Sequence, residues 1–285
     1  MWPFRRTPFV PVLRLSGVIA ASGSPLAGNA LSLAGLAGPI EKAFSASKLP
    51  SVAVIINSPG GSPVQSNLIF RRIRALAQEK KKRVYVFCED VAASGGYFIA
   101  MAGDEIYADP SSIVGSIGVI SAGFGFDKAI EKLGVERRVY TAGLSKSTLD
   151  PFKPENPEDV ERIKALQRDI HDVFIGVVKE RRGALLKGAD SELFSGAFWS
   201  GPRALDHGLI DGIGDIRTKM RELHGDKVKL RVIPLGSTGL LSRLRKLPSF
   251  DSSSGLAGAT NLGLIDPGQA ISAIETRLLW SRYGL

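Results

Sequence analysis

The chain has 285 residues, enough for one large domain or two small ones, and its 44% apolar and 23% charged residues describe a globular protein, not a disordered or collagen-like one. The formal charge of +9 admits nucleic acid or anionic lipid as a partner. A single cysteine, Cys88, excludes an intrachain disulfide framework and a Cys-rich metal site, and His171, His207 and His224 stand too far apart in sequence for paired metal ligands.

Residues 1–9 read as a basic tail, with Arg5, Arg6 and Arg14 the only charges before Glu41. This is a frayed terminus or a weak contact with an anionic membrane face. No stretch of 18 apolar residues predicts a transmembrane helix, and Arg14 and the prolines interrupt what would be a signal-peptide core. The alternation after Phe9 predicts a first strand at 10–19. Val52–Asn57, VAVIIN, has the unbroken β-branched composition of a buried parallel strand. Pro59-Gly60-Gly61 ends it, and Ser62 is placed to cap a helix running to about Gln78.

A second strand is expected at Arg83–Phe87 and a helix over Ala92–Met101, opening at Ser94-Gly95-Gly96. Short strands are expected near 105–108 and 117–120, a helix at 127–133 and a strand at 135–141. A long helix follows at 156–181, then helices at 202–207 and 215–224 and a strand at 228–233. Repeated β–α units predict a parallel sheet covered by helices, with no internal repeat and no domain boundary before 236. Residues 237–265, rich in Ser, Gly and Leu, read as a linker. An amphipathic helix is expected at 266–281, for packing or oligomerisation.

The basic clusters have local explanations. Lys80-Lys81-Lys82-Arg83 falls at a helix C-terminus, where cations oppose the macrodipole. No aromatic residues interleave with them, so nucleic-acid binding is not expected. The two glycine-rich turns are more informative. Ser58-Pro59-Gly60-Gly61 and Ser94-Gly95-Gly96 lie at strand ends, where parallel α/β folds gather their ligand sites. Together they can build an oxyanion hole beside a serine at a helix start. GxGxxG, GxxxxGK[ST] and G-x-S-x-G are all absent. None of the histidines is well placed to serve Ser94, and each reads as structural or surface. A serine without a histidine can be served by an unprotonated lysine. Lys146 stands outside every charge run, among small hydroxyl residues. A free lysine titrates near ~10.4, so such a base has to be desolvated.

Three segments carry a resemblance: VAVIINSPGGSP, then DVAASGGYFIAMAGDEIYADPSSIVGSIGVI, then GLSKSTLDPF, with FSGAFWSGPRALDHGLID matching further on. From about residue 10 to 233 the chain resembles the signal peptide peptidase A family of serine proteases in its short, single-repeat bacterial form. The resemblance implies an α/β fold of the Clp/crotonase-like type, a parallel sheet with β-β-α units and covering helices, in a domain over 10–236. It implies Ser94 as nucleophile and Lys146, 52 residues later, as general base. It gives Gly61 and Gly95 as oxyanion-hole donors and Ser116 as the serine that orients the lysine. It implies no metal and no cofactor. The substrates would be remnant signal peptides or other small, apolar peptides. The partners would be copies of the same chain, in a ring- or dome-shaped homo-oligomer with the dyad shared between protomers.

The related Clp protease uses a histidine about 25 residues after its serine, where this chain has Val119. Crotonase-type hydratases place a carboxylate pair near these turns, and none is evident here. A non-proteolytic scaffold or acyl-thioester binder of the same fold is the alternative reading. Short bacterial members usually carry an N-terminal membrane anchor. This sequence offers no such stretch, so the expected location is cytoplasmic or peripheral at the inner membrane.

Overall fold

The computed structural model describes residues 8–21, 30–143, 145–235, 274 and 276–285. In chain order the elements are β1 (Phe9–Ser16), α1 (Leu33–Ser45), β2 (Ser51–Ser58), α2 (Pro63–Glu79), β3 (Arg83–Ala93) and α3 (Gly95–Ala100). Next come β4 (Glu105–Ala108), β5 (Ile113–Gly115), α4 (Asp127–Lys132) and α5 (Pro157–Arg182). The last are α6 (Asp190–Leu193), β6 (Phe198–Ser200), α7 (Gly201–Asp206), β7 (Gly212–Ile213), α8 (Ile216–His224) and β8 (Lys229–Val232).

The strands form one eight-stranded sheet, ordered β6-β5-β3-β2-β1-β8, with β4 on the other half of β3 and β7 beyond it. All pairs are parallel except β5 with β6. The central strands read as continuous apolar runs because both faces of the sheet are covered. Leu13, Leu15, Val52, Val54, Ile56, Val84 and Val86 enter the main core with residues of α1, α2, α3 and α5. Val10, Val12, Ala53, Tyr85 and Phe87 point the other way, toward Met220 of α8. A fully buried side chain of this size contributes ~1.5–3 kcal/mol, so the two layers dominate the stability of the fold.

The feature that places the site is a fork in β3. Its first half, Tyr85–Cys88, pairs with β4, and its second, Val91–Ala93, pairs with β5. Against β2 the register slips between Ile56 and Ser58, whose partners are Cys88 and Ala92. The Asn57 carboxamide spans the irregularity: its nitrogen donates to Asp90 Oδ2 at 2.6 Å and its oxygen accepts from the Val91 amide at 3.2 Å. The bulge redirects β3 so that it ends at Ser94 beside the turn after β2.

Four expectations change. β3 runs on through Ala93, six residues past the expected end at Phe87, because the polar pair Glu89-Asp90 marks a bulge and not a terminus. The expected helix at Ala92–Met101 is therefore shorter, Gly95–Ala100. The strand expected at 117–120 lies instead at Ile113–Gly115, since Gly115 and Ser116 both take positive φ, 114° and 54°, and turn the chain out of the ladder. Residues 135–141 form no strand, being exposed and without a ladder partner among the described residues. Helix α1 was not anticipated; Pro39 inside it and its two glycines, Gly35 and Gly38, hid the pattern. The expected linker lies outside the described residues. Of the expected C-terminal helix, residues 274 and 276–281 are described and helical.

Candidate active site

Ser94 stands between β3 and α3 at φ 52° and ψ −123°, backbone angles that side-chain-bearing residues seldom adopt. The conformation is held from both sides. The Ser94 amide donates to the Gly115 carbonyl at 2.8 Å, and its own carbonyl accepts from Phe98 at 2.9 Å. Such a residue costs ~1–3 kcal/mol and persists only where its surroundings over-determine it. The geometry leaves Ser94 on the rim of a cavity instead of in the sheet.

The turn after β2 supplies the opposite rim. Ser62 caps α2 through Gln65, Pro63 fills the first helical position, and the Ser62 amide donates to Ile19 at 2.7 Å. Gly61, at φ 139°, is clamped so closely under Ile19 that an added Cβ would run into the Ile19 carbonyl oxygen. Its amide makes no hydrogen bond among the described residues. The Gly95 amide opens α3, where an N–H has no carbonyl of its own helix to reach. A Cβ built on Gly95 would come within 3.3 Å of the Gly61 nitrogen, which puts the two free amides side by side.

Gly61, Ser94 and Gly95 share a cavity of about 230 Å³. Its other walls are mainly apolar, with Val64 and Leu68 from α2, Phe98 from α3, Val119, and Ile170, Val173 and Phe174 from α5, while Ser66 and Asn67 of α2 add a polar stretch. Phe98 packs at 4.9 Å centroid distance on Phe174. A serine, two amides without a partner among the described residues and a mainly apolar slot suit a carbonyl attached to an apolar side chain.

Ser116 follows β5 and is buried at 6% exposure. Its amide donates to the Ala197 carbonyl at 2.7 Å, and its hydroxyl accepts from Tyr283 at 3.3 Å. Lys146 lies elsewhere, on an exposed loop, and does not line the cavity with Ser94. That loop is pinned from behind at Asp150, which pairs with Arg137 and accepts from the Phe152 amide at 3.1 Å. The Phe152 amide first, then Arg137, holds the Asp150 carboxyl below its ordinary range, against the opposing effect of desolvation. One structure thus brings Ser94, Gly61 and Gly95 together, sets Ser116 just past β5 at the end of the sheet where Ser94 follows β3, and leaves Lys146 out.

Residues 76–230 match Peptidase family S49. A Synechocystis protein provisionally named protease slr0021 is 31% identical over 278 residues, covering 93% of this chain and 92% of its own length. The chain belongs to peptidase family S49, the signal peptide peptidase A family. Serine protease SPPA of Arabidopsis thaliana, chloroplastic, is 31% identical over 73% of this chain and 31% of its own. A Brucella abortus protein named Na(+)/H(+) antiporter NhaA is 56% identical over 97% of this chain. The chain spans 37% of that relative's length and of its Brucella melitensis counterpart. None of the described helices is long and apolar enough to cross a membrane.

Membership in S49 makes this a domain of a serine-peptidase family, with the Clp/crotonase-like sheet just described. The histidines stay outside the site. His171 bonds the Ile117 carbonyl at 3.0 Å, His207 the Lys187 carbonyl at 3.3 Å, and His224 the Ser51 hydroxyl at 2.9 Å. Sequence reasoning missed three contributors. Asn57 sets the bulge behind Ser94, and its position just before the S-P-G-G turn was the available signal. Ile170, Val173 and Phe174 line the cavity, and their i, i+3, i+4 spacing marks one helix face. Tyr283 on Ser116 had no local signal, being 167 residues away.

Proposed function

We propose that this chain is a serine endopeptidase of the Ser/Lys type, acting on apolar, signal-peptide-like segments through an acyl-enzyme. The observation that carries the proposal is the meeting, in one apolar cavity, of a strained serine with the unsatisfied amides of Gly61 and Gly95. In this reading Lys146, neutral, takes the Ser94 hydroxyl proton as Oγ bonds to the scissile carbonyl carbon. The oxyanion forms between the two glycine amides, whose fixed direction favours the tetrahedral state over the planar substrate. Lys146 returns the proton to the leaving amine as the C–N bond breaks. It then takes a proton from the water that attacks the ester and passes it to Ser94 Oγ as the acyl–oxygen bond breaks, which restores the neutral amine. Ser116 receives an N–H of the lysine amine and aims its lone pair at Ser94.

The exposed position of Lys146 supports a dyad completed between copies of the chain. The segment that carries it also displays Phe124, Leu133, Val135 and Tyr140, the last 91% exposed, as an apolar face for a second copy. The cavity admits an apolar side chain next to the cleaved bond, and the extended peptide would lie along residues 117–120, which have no ladder partner among the described residues. The peptidase domain is taken as residues 10–236, followed by the linker and the C-terminal helix.

The experiment is hydrolysis of fluorogenic peptides with apolar residues before the cleaved bond, by the full chain and by Ser94→Ala and Lys146→Ala. Both variants should lose activity by at least ~10³-fold, and a serine-directed phosphonate should label every protein that retains Ser94 and Lys146. Full activity in either variant would remove the dyad.

A further inference from the structure

The last described residues do not trail away from the molecule. Trp280 and Tyr283 pack against Val91, Ala93 and Ile113, on the side of the β3–β5 pair opposite to Ala92 and Val114 of the main core. These are the rungs that end at Ser94 and Ser116, with Val91 opposite Ile113 and Ala93 opposite Gly115. Tyr283 is buried at 8% exposure and meets Phe198 of β6 edge-on at 5.2 Å. Its hydroxyl donates to Ser116 Oγ at 3.3 Å, and no other side-chain bond reaches that oxygen among the described residues.

We infer that Tyr283 is a positioning residue for catalysis, acting through Ser116. The inference rests on the proposed role of Ser116 beside the lysine amine. A serine hydroxyl has one proton and two lone pairs, and a free one rotates. Tyr283 occupies one lone pair and holds Oγ in a single rotamer. The second lone pair is left to accept an amine N–H, so the nitrogen's own lone pair stays free for the Ser94 proton. Without the phenolic hydroxyl, Ser116 can turn its proton onto the amine, which caps the base at the moment it is needed. A purely structural tyrosine would also bring its hydroxyl to a nearby oxygen when buried, so the test has to separate packing from positioning.

Tyr283→Phe keeps the ring on Val91, Ala93 and Phe198 and removes the one bond. In the full chain, on an apolar fluorogenic peptide, kcat should fall about three- to tenfold, the effect of a single hydrogen bond, with KM unchanged. The melting temperature should stay close to that of the parent. In a Ser116→Ala background the same substitution should cost nothing further, because the group it acts through is gone. An unchanged kcat, or an equal loss with and without Ser116, would overturn the inference. Ser94→Ala, run alongside, separates the two levels. An active Ser94→Ala sinks the Ser/Lys reading and the inference with it. An inactive one with a fully active Tyr283→Phe sinks only the role of Tyr283.

Discussion

Cys88 shows what the interior of this sheet does to an ionisable group. It sits in β3 at 5% exposure, at the last rung before the bulge, and burial pushes its thiol up to about 12. An unfolded thiol loses its proton near 9.0, the folded one only near 12. Between those values the native state binds the extra proton, so stability falls as pH rises through that window and is unaffected below it. Chemical denaturation should show a decline starting near pH 9 that is shallower in Cys88→Ala, while above pH 10 the Tyr97 hydroxyl, also pushed up by burial, adds a decline that both proteins share. A thiol reagent at pH 8 should leave the native chain unlabelled and modify one site after unfolding. At Gly61 the constraint is steric, not electrostatic: the Ile19 carbonyl fills the space of a side chain, so the amide that faces the cavity belongs to the one residue that fits.

At the level of elements, the decisive device is the β3 bulge and the Asn57 side chain that bridges it. Asn57→Ala removes both bonds and leaves the Val91 amide without its partner. Stability should drop by ~1–3 kcal/mol in urea titration, and kcat should drop further than stability explains, because β3 would no longer deliver Ser94 at a fixed register. A wild-type kcat in this variant would show that α3 and the Gly115 bond hold Ser94 without help from the bulge. Elements of this kind also mark where sequence reading succeeds. VAVIIN, the Ser62-Pro63 start of α2 and the long amphipathic run of α5 are local signals, and each element lies within a residue or two of its expected span. Glu89-Asp90 in mid-strand reads as an ending because its partner, Asn57, is 33 residues away for Asp90. The segment 135–141 has strand composition, but composition does not provide the neighbour that a ladder needs. Of the candidate site, the residues that line the cavity together, Ser94, Gly61 and Gly95, stand in two turns that the sequence already singled out. Their meeting in a cavity depended on the fork in β3, which no window of sequence contains.

The whole molecule presents half of its proposed chemistry as a finished pocket and the other half on an exposed arm. If the arm of one copy completes the pocket of another, two inactive proteins contain one good site between them. Ser94→Ala and Lys146→Ala, each silent alone, should recover a measurable fraction of activity when mixed under conditions that permit subunit exchange. No recovery, with both variants shown to assemble, would place the dyad inside one chain. The strain at Ser94 has a consequence on a longer timescale. At φ 52° and ψ −123° a glycine is more comfortable than a serine. Drift that rewards thermal endurance alone therefore runs toward glycine at position 94, and only selection for turnover holds the hydroxyl in place. A lineage of this fold that loses its chemistry is expected to record the loss there first, as a single residue relaxing into a sturdier and silent protein.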